Sequence, residues 1–232
     1  MNFNHVGFGL GKRRLPVIEQ YTSPDGTRFY NTPSGEKYPS ITTILAEKNK
    51  DVIQQWRRRV GHETANTVSR VAAGRGTALH KLAEDYLNNE PAEPKSPLVA
   101  DLWRKVRPVI DENINNVHCQ ETRLFSHHLR LAGTVDCIAE YNGRLSVIDF
   151  KTSTGNKKKE WISSYFMQCA AYAIMYEELA FTPITQLVVI VGVEEEPEPQ
   201  VFIEHRDRWT KELLQWRDFY ETKNPSLTTI AD

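Results

Sequence analysis

The stretch GTVDCIAEYNGRLSVIDFKTS, residues 133–153, decides the fold. Asn142-Gly143 is a strong hairpin signal, because both central residues of a type I′ turn need positive φ. The flanking runs, Thr134 to Tyr141 and Arg144 to Lys151, are rich in β-branched and aromatic residues. A two-residue turn pairs Tyr141 with Arg144. Counting outward sets Asp136 directly opposite Asp149 and Thr134 opposite Lys151. A period of two then puts all four on one face. Like charges directly opposite destabilise a strand pair. Three arrangements relieve the repulsion: a counter-charge from Lys151, a divalent cation, or a solvated face that screens both carboxylates. Oxygen-only clustering favours a hard ion such as Mg²⁺ or Mn²⁺.

Two further positions extend this face. An even-length turn at residues 126–129 sets Glu121 opposite Thr134, one diagonal step from Asp136. Lys151 follows Asp149 at i+2, where a lysine beside metal-bound carboxylates can hold or deprotonate an attacking water and stabilise charge on a phosphate. Either residue also has an ordinary reading, as an exposed strand glutamate or a plain ion pair.

The rest of the chain bounds what such a site serves. A length of 232 residues with 40% hydrophobic and 25% charged content suits one soluble domain with a real core. The net charge of −1 provides no global basic field. Three cysteines, Cys119, Cys137 and Cys169, show no CxxC spacing. That argues for reduced thiols and against structural zinc or a four-cysteine iron–sulfur cluster. No apolar run reaches membrane-spanning length. The first sixteen residues do not read as a secretory signal, so a cytoplasmic protein of a bacterium or a phage-infected cell is expected.

Turn signals at 23–26 and 33–35 imply short strands or loops over residues 1–37. Ser40 is placed to cap a polar helical stretch over 41–73 that carries Arg57, Arg58, Arg59 and Arg70. Gly74-Arg75-Gly76-Thr77 breaks that run, and a second helix spans 78–88. A helix over 98–115 precedes strands at 118–125, 131–141 and 144–151. A strongly apolar helix covers 161–180, strands follow at 185–193 and 201–204, and a last helix stops near Pro225. The acidic stretch 194–199 reads as a solvated turn. The resulting plan is helices 38–115, a core at 116–205, and a C-terminal helix within 206–232: an α/β (α+β-like) fold with helices over a mixed sheet.

On the helices, two polar residues stand out. His80 lies beside an apolar face, one turn from Glu84, as a packing residue or a ligand. Gln168 interrupts the apolar stripe Trp161, Tyr165, Tyr172, Met175, Leu179. A buried amide needs partners, whether a backbone carbonyl, a phosphate or a water.

Together, Arg75-Gly76-Thr77-Ala78-Leu79-His80, Glu121, Gly133-Thr134-Val135-Asp136, Asp149-Phe150-Lys151-Thr152-Ser153 and Gln168-Cys169-Ala170-Ala171-Tyr172 resemble the PD-(D/E)XK nuclease superfamily, and within it the RecB-like exonucleases. With the entry at residues 38–45, the pattern is similar to a branch of mitochondrial, phage and bacterial members. The resemblance covers about residues 38–180. It implies a restriction-endonuclease-like core with an N-terminal helical elaboration. It also implies a Mg²⁺- or Mn²⁺-dependent deoxyribonuclease that acts as an exonuclease. His80, Asp136, Asp149 and the Phe150 carbonyl would be metal ligands and Glu121 a further acidic site residue. Lys151 would be the catalytic lysine, and Gln168 with Tyr172 the helical motif behind it. Ser40, Arg75 and Thr152 would join Gln168 and Tyr172 in contacting DNA. Cleavage would leave a 5′-phosphate and a 3′-hydroxyl. In such relatives the helices before the site arch over it, here about residues 41–75, and favour a threaded single-stranded end. Two departures stand out: valine, not proline, precedes Asp136, and the cysteines of iron–sulfur members are missing. The alternatives are a structure-specific or duplex-processing nuclease and, in another class, an inactive nucleic-acid-binding module. No membrane partner is expected, and protein partners are not specified.

Overall fold

A computed structural model describes residues 2–7 and 15–225 of the chain. Parts of the segment read above for a secretory signal, and residues 226–232 of the C-terminal unit, lie outside the described residues. The predicted hairpin is the centre of a five-stranded sheet ordered β4-β5-β6-β7-β8. These strands are β4 (Ile114–Ser126), β5 (Leu131–Tyr141), β6 (Arg144–Ser153), β7 (Gln186–Val193) and β8 (Gln200–His205). Only β6 and β7 pair in parallel. Their link is the crossover helix α4 (Ser163–Ala180), since a parallel pair cannot be closed by a short turn. β7 is buried along almost its whole length, and its run LVVIVGV is what a central strand covered on both faces requires.

Two hydrophobic cores sandwich the sheet. One packs α4, α5 (Asp207–Lys223) and the start of α1 (Ile41–Val60) on the first face. The other packs α2 (His62–Leu87) and α3 (Pro97–Asn113) on the second. A small antiparallel sheet, β1 (Glu19–Thr22), β2 (Arg28–Asn31) and β3 (Lys37–Pro39), precedes α1, with the expected glycine turns at Gly26 and Gly35, both at positive φ. It meets β5 where Ser40 bridges Ala132.

Three local expectations need correction. The helical break lies at Gly61, not at Gly74 to Thr77, and α2 runs unbroken through both later glycines. Gly61 sits at φ 86°, ψ 152°, a conformation open to glycine, and its N–H closes α1 on Arg57 O. Gly74 and Gly76 merely weaken a helix that tertiary packing holds. The turn after Ser126 has four residues, not two, because Ser126 pairs with Leu131 and Arg130 takes a left-handed φ of 53°. Glu121 therefore falls at the register position of Asp136 itself, between the pairs Gln120↔Cys137 and Thr122↔Val135, not on its diagonal. Third, the first core strand starts at Ile114, and an irregularity between Asn115 and Cys119 absorbs the extra length.

Gly133 marks the tightest contact between sheet and helices. A Cβ there would lie 2.7 Å from Tyr172 Cε1 and 3.1 Å from Ile41 Cγ2. Tyr172 is 1% exposed and Ile41 fully buried, so neither side chain can swing aside. Gly133→Ala is expected to destabilise by about 1–3 kcal/mol, lowering the melting temperature by roughly 3–10 °C. An unchanged melting curve would show that the α1–α4 junction is looser than this packing.

Candidate active site

The hairpin register holds as expected from Tyr141↔Arg144 to Cys137↔Ile148. One step further, at Asp136 and Asp149, the backbone ladder stops. The Phe150 amide donates instead to the Asp136 side chain, 3.0 Å to Oδ2. The face alternation of β5 slips at the same point: Val135 packs under α4, Cys137 under α2 and α3, and Ile138 under α4 again. On the neighbouring strand Glu121 adopts φ 43°. A non-glycine residue there is strained by about 1–3 kcal/mol, and such strain gathers at functional sites. The two aspartates therefore do not form the simple cross-strand pair that period-two counting implies. The slip turns Asp136 toward α2.

From α2, His80 meets it. Its Nδ1 lies 3.4 Å from Asp136 Oδ2, and its Nε2 contacts the Phe150 carbonyl oxygen. Among the described residues, His80, Glu121 and Asp136 each offer a ligand atom within 4.8 Å of the others. Partial burial and the Asp136 charge push the Glu121 carboxyl up to about 7. Asp149 is 1% exposed, and burial raises it to about 6 against the pull of Lys151. Its Oδ1 accepts from Lys151 Nζ at 2.6 Å, while its Oδ2 is buried with no partner among the described residues. Burial works against the Lys151 charge, but the Asp149 and Asp136 carboxylates outweigh it and hold the ammonium above its ordinary range. Its Nζ also lies 5.3 Å from the centroid of the Tyr165 ring.

This donor set fits a hard divalent cation. It has several carboxylate oxygens and a backbone carbonyl, groups that Mg²⁺ and Mn²⁺ accept, and one imidazole, which suits Mn²⁺ better than Mg²⁺. The costly charge on Glu121 within the cluster is what such an ion would relieve, while Asp149 with its orphaned oxygen lies outside the 4.8 Å group.

The remaining predicted residues lie on the elements that flank this cluster. Gln168 Nε2 lies 3.4 Å from Tyr172 OH, one turn further along α4. Ser40 is 1% exposed, and its hydroxyl accepts from Thr42 N as the expected cap of α1. Arg75 donates to Thr152 Oγ1 at 3.0 Å and pairs with Glu194, with only 9% of its side chain exposed. It braces α2 against the ends of β6 and β7, so a phosphate would compete there with Glu194. A cleft of about 380 Å³ opens beside it, lined among others by Thr152, Gly155 and Lys157.

Three participants escaped the sequence reading. Glu194 is no mere solvated turn: besides holding Arg75, its carbonyl accepts from the buried Lys105, which also pairs with Asp101 at 2.6 Å. Nothing local marks either contact. Tyr165 sat in the recognised stripe, three residues before Gln168, but its role depends on where β6 places Lys151.

The chain resembles proteins already known. A family model for the PD-(D/E)XK nuclease superfamily matches residues 104–224, just over half of the chain, which includes every core site residue except His80. Curated relatives named mitochondrial genome maintenance exonuclease 1 match across about 80% of the chain. They are 25% identical for the human protein, 26% for the mouse and 27% for Xenopus tropicalis. The chain spans 58–59% of the length of these relatives. They are vertebrate proteins, so they lend no support to the expected bacterial or phage origin. No described helix is long and apolar enough to cross a membrane. A mixed sheet flanked by helices, with acidic residues and a lysine gathered where its central hairpin splays, agrees with the family match: this chain belongs to the PD-(D/E)XK nuclease superfamily.

Proposed function

We propose that this protein is a metal-dependent exonuclease acting on single-stranded DNA with a free end. The observation that carries the reading is the convergence of His80, Glu121, Asp136 and the Phe150 carbonyl, beside an orphaned Asp149 oxygen and a charged Lys151. The relatives' names support the exonuclease class.

His80, Glu121, Asp136, Asp149 and the Phe150 carbonyl would hold the cation. When bound, it lowers the pKa of a water and stabilises negative charge on a phosphate. Hydrolysis forms a bond from water oxygen to phosphorus and breaks the P–O3′ bond. The 3′ oxygen takes up a proton, leaving a 5′-phosphate and a 3′-hydroxyl. Lys151, whose ammonium the Asp149 and Asp136 carboxylates favour, is placed to act as a donor. Its ammonium holds a phosphate oxygen and neutralises charge growing there. Asp149 and the Tyr165 ring fix its position. Asp136 anchors the Phe150 backbone, which keeps the carbonyl and the two strands in register with His80.

The preference for a free end rests on the helical pair. Between Leu45 on α1 and Leu79 on α2 only Ala65 is buried, so the far end around Gly61 stands clear of the core. Arg58, Arg59 and Arg70 are exposed along it. The pair is internally tied by Arg57 donating to Asn66. Were this pair to arch over the site, it would admit a threaded end and exclude a closed loop.

The test is digestion of end-labelled linear single-stranded DNA with Mg²⁺, beside circular single strands, linear duplex and an EDTA blank. Linear single strands should be degraded and circles left intact. A circle cut as fast as a linear strand would move the protein to a structure-specific nuclease. No cleavage with Mg²⁺ or Mn²⁺, despite DNA binding, would favour an inactive binding module.

A further inference from the structure

The segment after β6 carries a feature that the catalytic cluster does not use. Trp161 is the only one of the chain's five tryptophans that stands exposed, at 63%. A lone exposed apolar residue needs no explanation, but this one is mounted on a rigid support. The Gln200 side chain grips the Lys157 backbone on both sides, accepting from its N–H at 2.7 Å and donating to its carbonyl at 3.1 Å. Lys159 pairs with the buried Glu204. The Trp161 N–H closes a tight turn on Lys158 O at 3.0 Å, and Ile162 beneath is 2% exposed. The indole is thus held in solvent by a segment fixed at both ends.

Its own segment is rich in lysine, although Glu204 neutralises Lys159 and Glu194 neutralises Arg75. Lys158 Nζ lies 5.2 Å from the Trp161 ring centroid. Lys157 lines the same cleft as Arg75 and Thr152. Glu160 is the one acid within residues 157–161. The platform is also close to the chemistry. Tyr165, whose ring meets Lys151 Nζ, follows four residues later, a chain span of at most about 14 Å.

We infer that Trp161, with Lys157 and Lys158, is a base-stacking step for the DNA strand flanking the scissile phosphate. A fixed π face beside the Lys158 ammonium, with Lys157 in the adjoining cleft, suits a nucleobase joined to its phosphate, whatever the base. Stacking there positions the strand by one nucleotide relative to Lys151 without reading sequence. This inference rests on the DNA-cleaving function proposed above.

The experiment uses the full chain with Lys151→Ala as a non-cleaving background. Linear single-stranded oligonucleotides carry 2-aminopurine, or an abasic site, at successive positions from the free end. In the background protein one position should show strong 2-aminopurine quenching. Adding Trp161→Ala should remove that quenching and weaken Kd about tenfold, ~1.4 kcal/mol, while Trp161→Phe restores most of both. An abasic site at that position should cost the same tenfold, with no further loss in Trp161→Ala. Equal binding by Trp161→Ala to every oligonucleotide, or an abasic effect that persists undiminished in it, would overturn the inference. Comparison with the cleaving wild type separates the two levels. If the wild type cuts DNA and Trp161→Ala matches it on every substrate, only the stacking step falls. If the wild type neither binds nor cuts DNA, the proposed function falls with it.

Discussion

Lys151→Ala is expected to reduce cleavage of linear single-stranded DNA by about 10²–10³-fold or more, while DNA binding survives. Removing one donor aimed at developing charge in a water-poor site costs on that scale. The side chain is 19% exposed and bonded to Asp149, so its loss deletes a positioned charge, not a mobile surface group. The same change leaves Asp149 buried with both oxygens unpartnered. A buried carboxylate stripped of its cation is strongly destabilising. The variant should therefore melt lower than wild type in EDTA, and Mg²⁺ should raise its melting temperature by more than it raises that of the wild type. Near-wild-type cleavage would remove Lys151 from the catalytic assignment. Lost cleavage together with lost DNA binding would make its role one of affinity.

Asp136→Asn is the second large effect, and it separates in its melting behaviour from the first. Asn keeps an oxygen to accept from the Phe150 amide, so the splayed hairpin should persist. What disappears is the negative charge at the meeting point of His80, Glu121 and Asp149. Cleavage should again fall by at least about 10²-fold, because a cation site weakened in charge loses affinity. In EDTA, however, the variant should melt close to wild type, since losing the Asp136 charge relieves Glu121 and Asp149 but also removes an attraction for Lys151. The rise in melting temperature on adding Mg²⁺ or Mn²⁺ should shrink or vanish. A full metal-induced rise in Asp136→Asn would place the cation elsewhere.

These two variants probe residues that the sequence singled out first, and the reason is local. An Asn-Gly turn sets its own register over the pairs nearest to it, so Tyr141↔Arg144 through Cys137↔Ile148 follow from turn chemistry alone. Ser40 as a helix cap, the apolar α4 and the buried β7 likewise follow from propensity and period. The polar residues at the centre were picked out by the hairpin register and, for their roles, by the family resemblance.

What lay beyond the sequence is non-local. The choice of Gly61 over Gly74 and Gly76 as the helical break depended on α2 packing against β6 and α3, which outweighs the modest cost of two helical glycines. The four-residue turn after Ser126 depended on the pairing that the β4–β5 ladder reached, and it moved Glu121 onto Asp136. The contacts of Arg75 with Glu194 and of Lys105 with Glu194 O join residues 119 and 89 positions apart, a separation at which no pattern in the chain announces a partner. The slip of β5 at Asp136 is of the same kind. Alternation predicts which face a strand residue takes only while the backbone ladder continues. Here a carboxylate replaces a backbone acceptor, and the faces exchange. The sequence by itself thus determined the near-turn register of the hairpin and the helices outside the Gly61 break, because turn φ values, caps and hydrophobic period are short-range energies. The tertiary structure decided which side chains meet, because burial and long-range ion pairs act only once the chain has closed on itself.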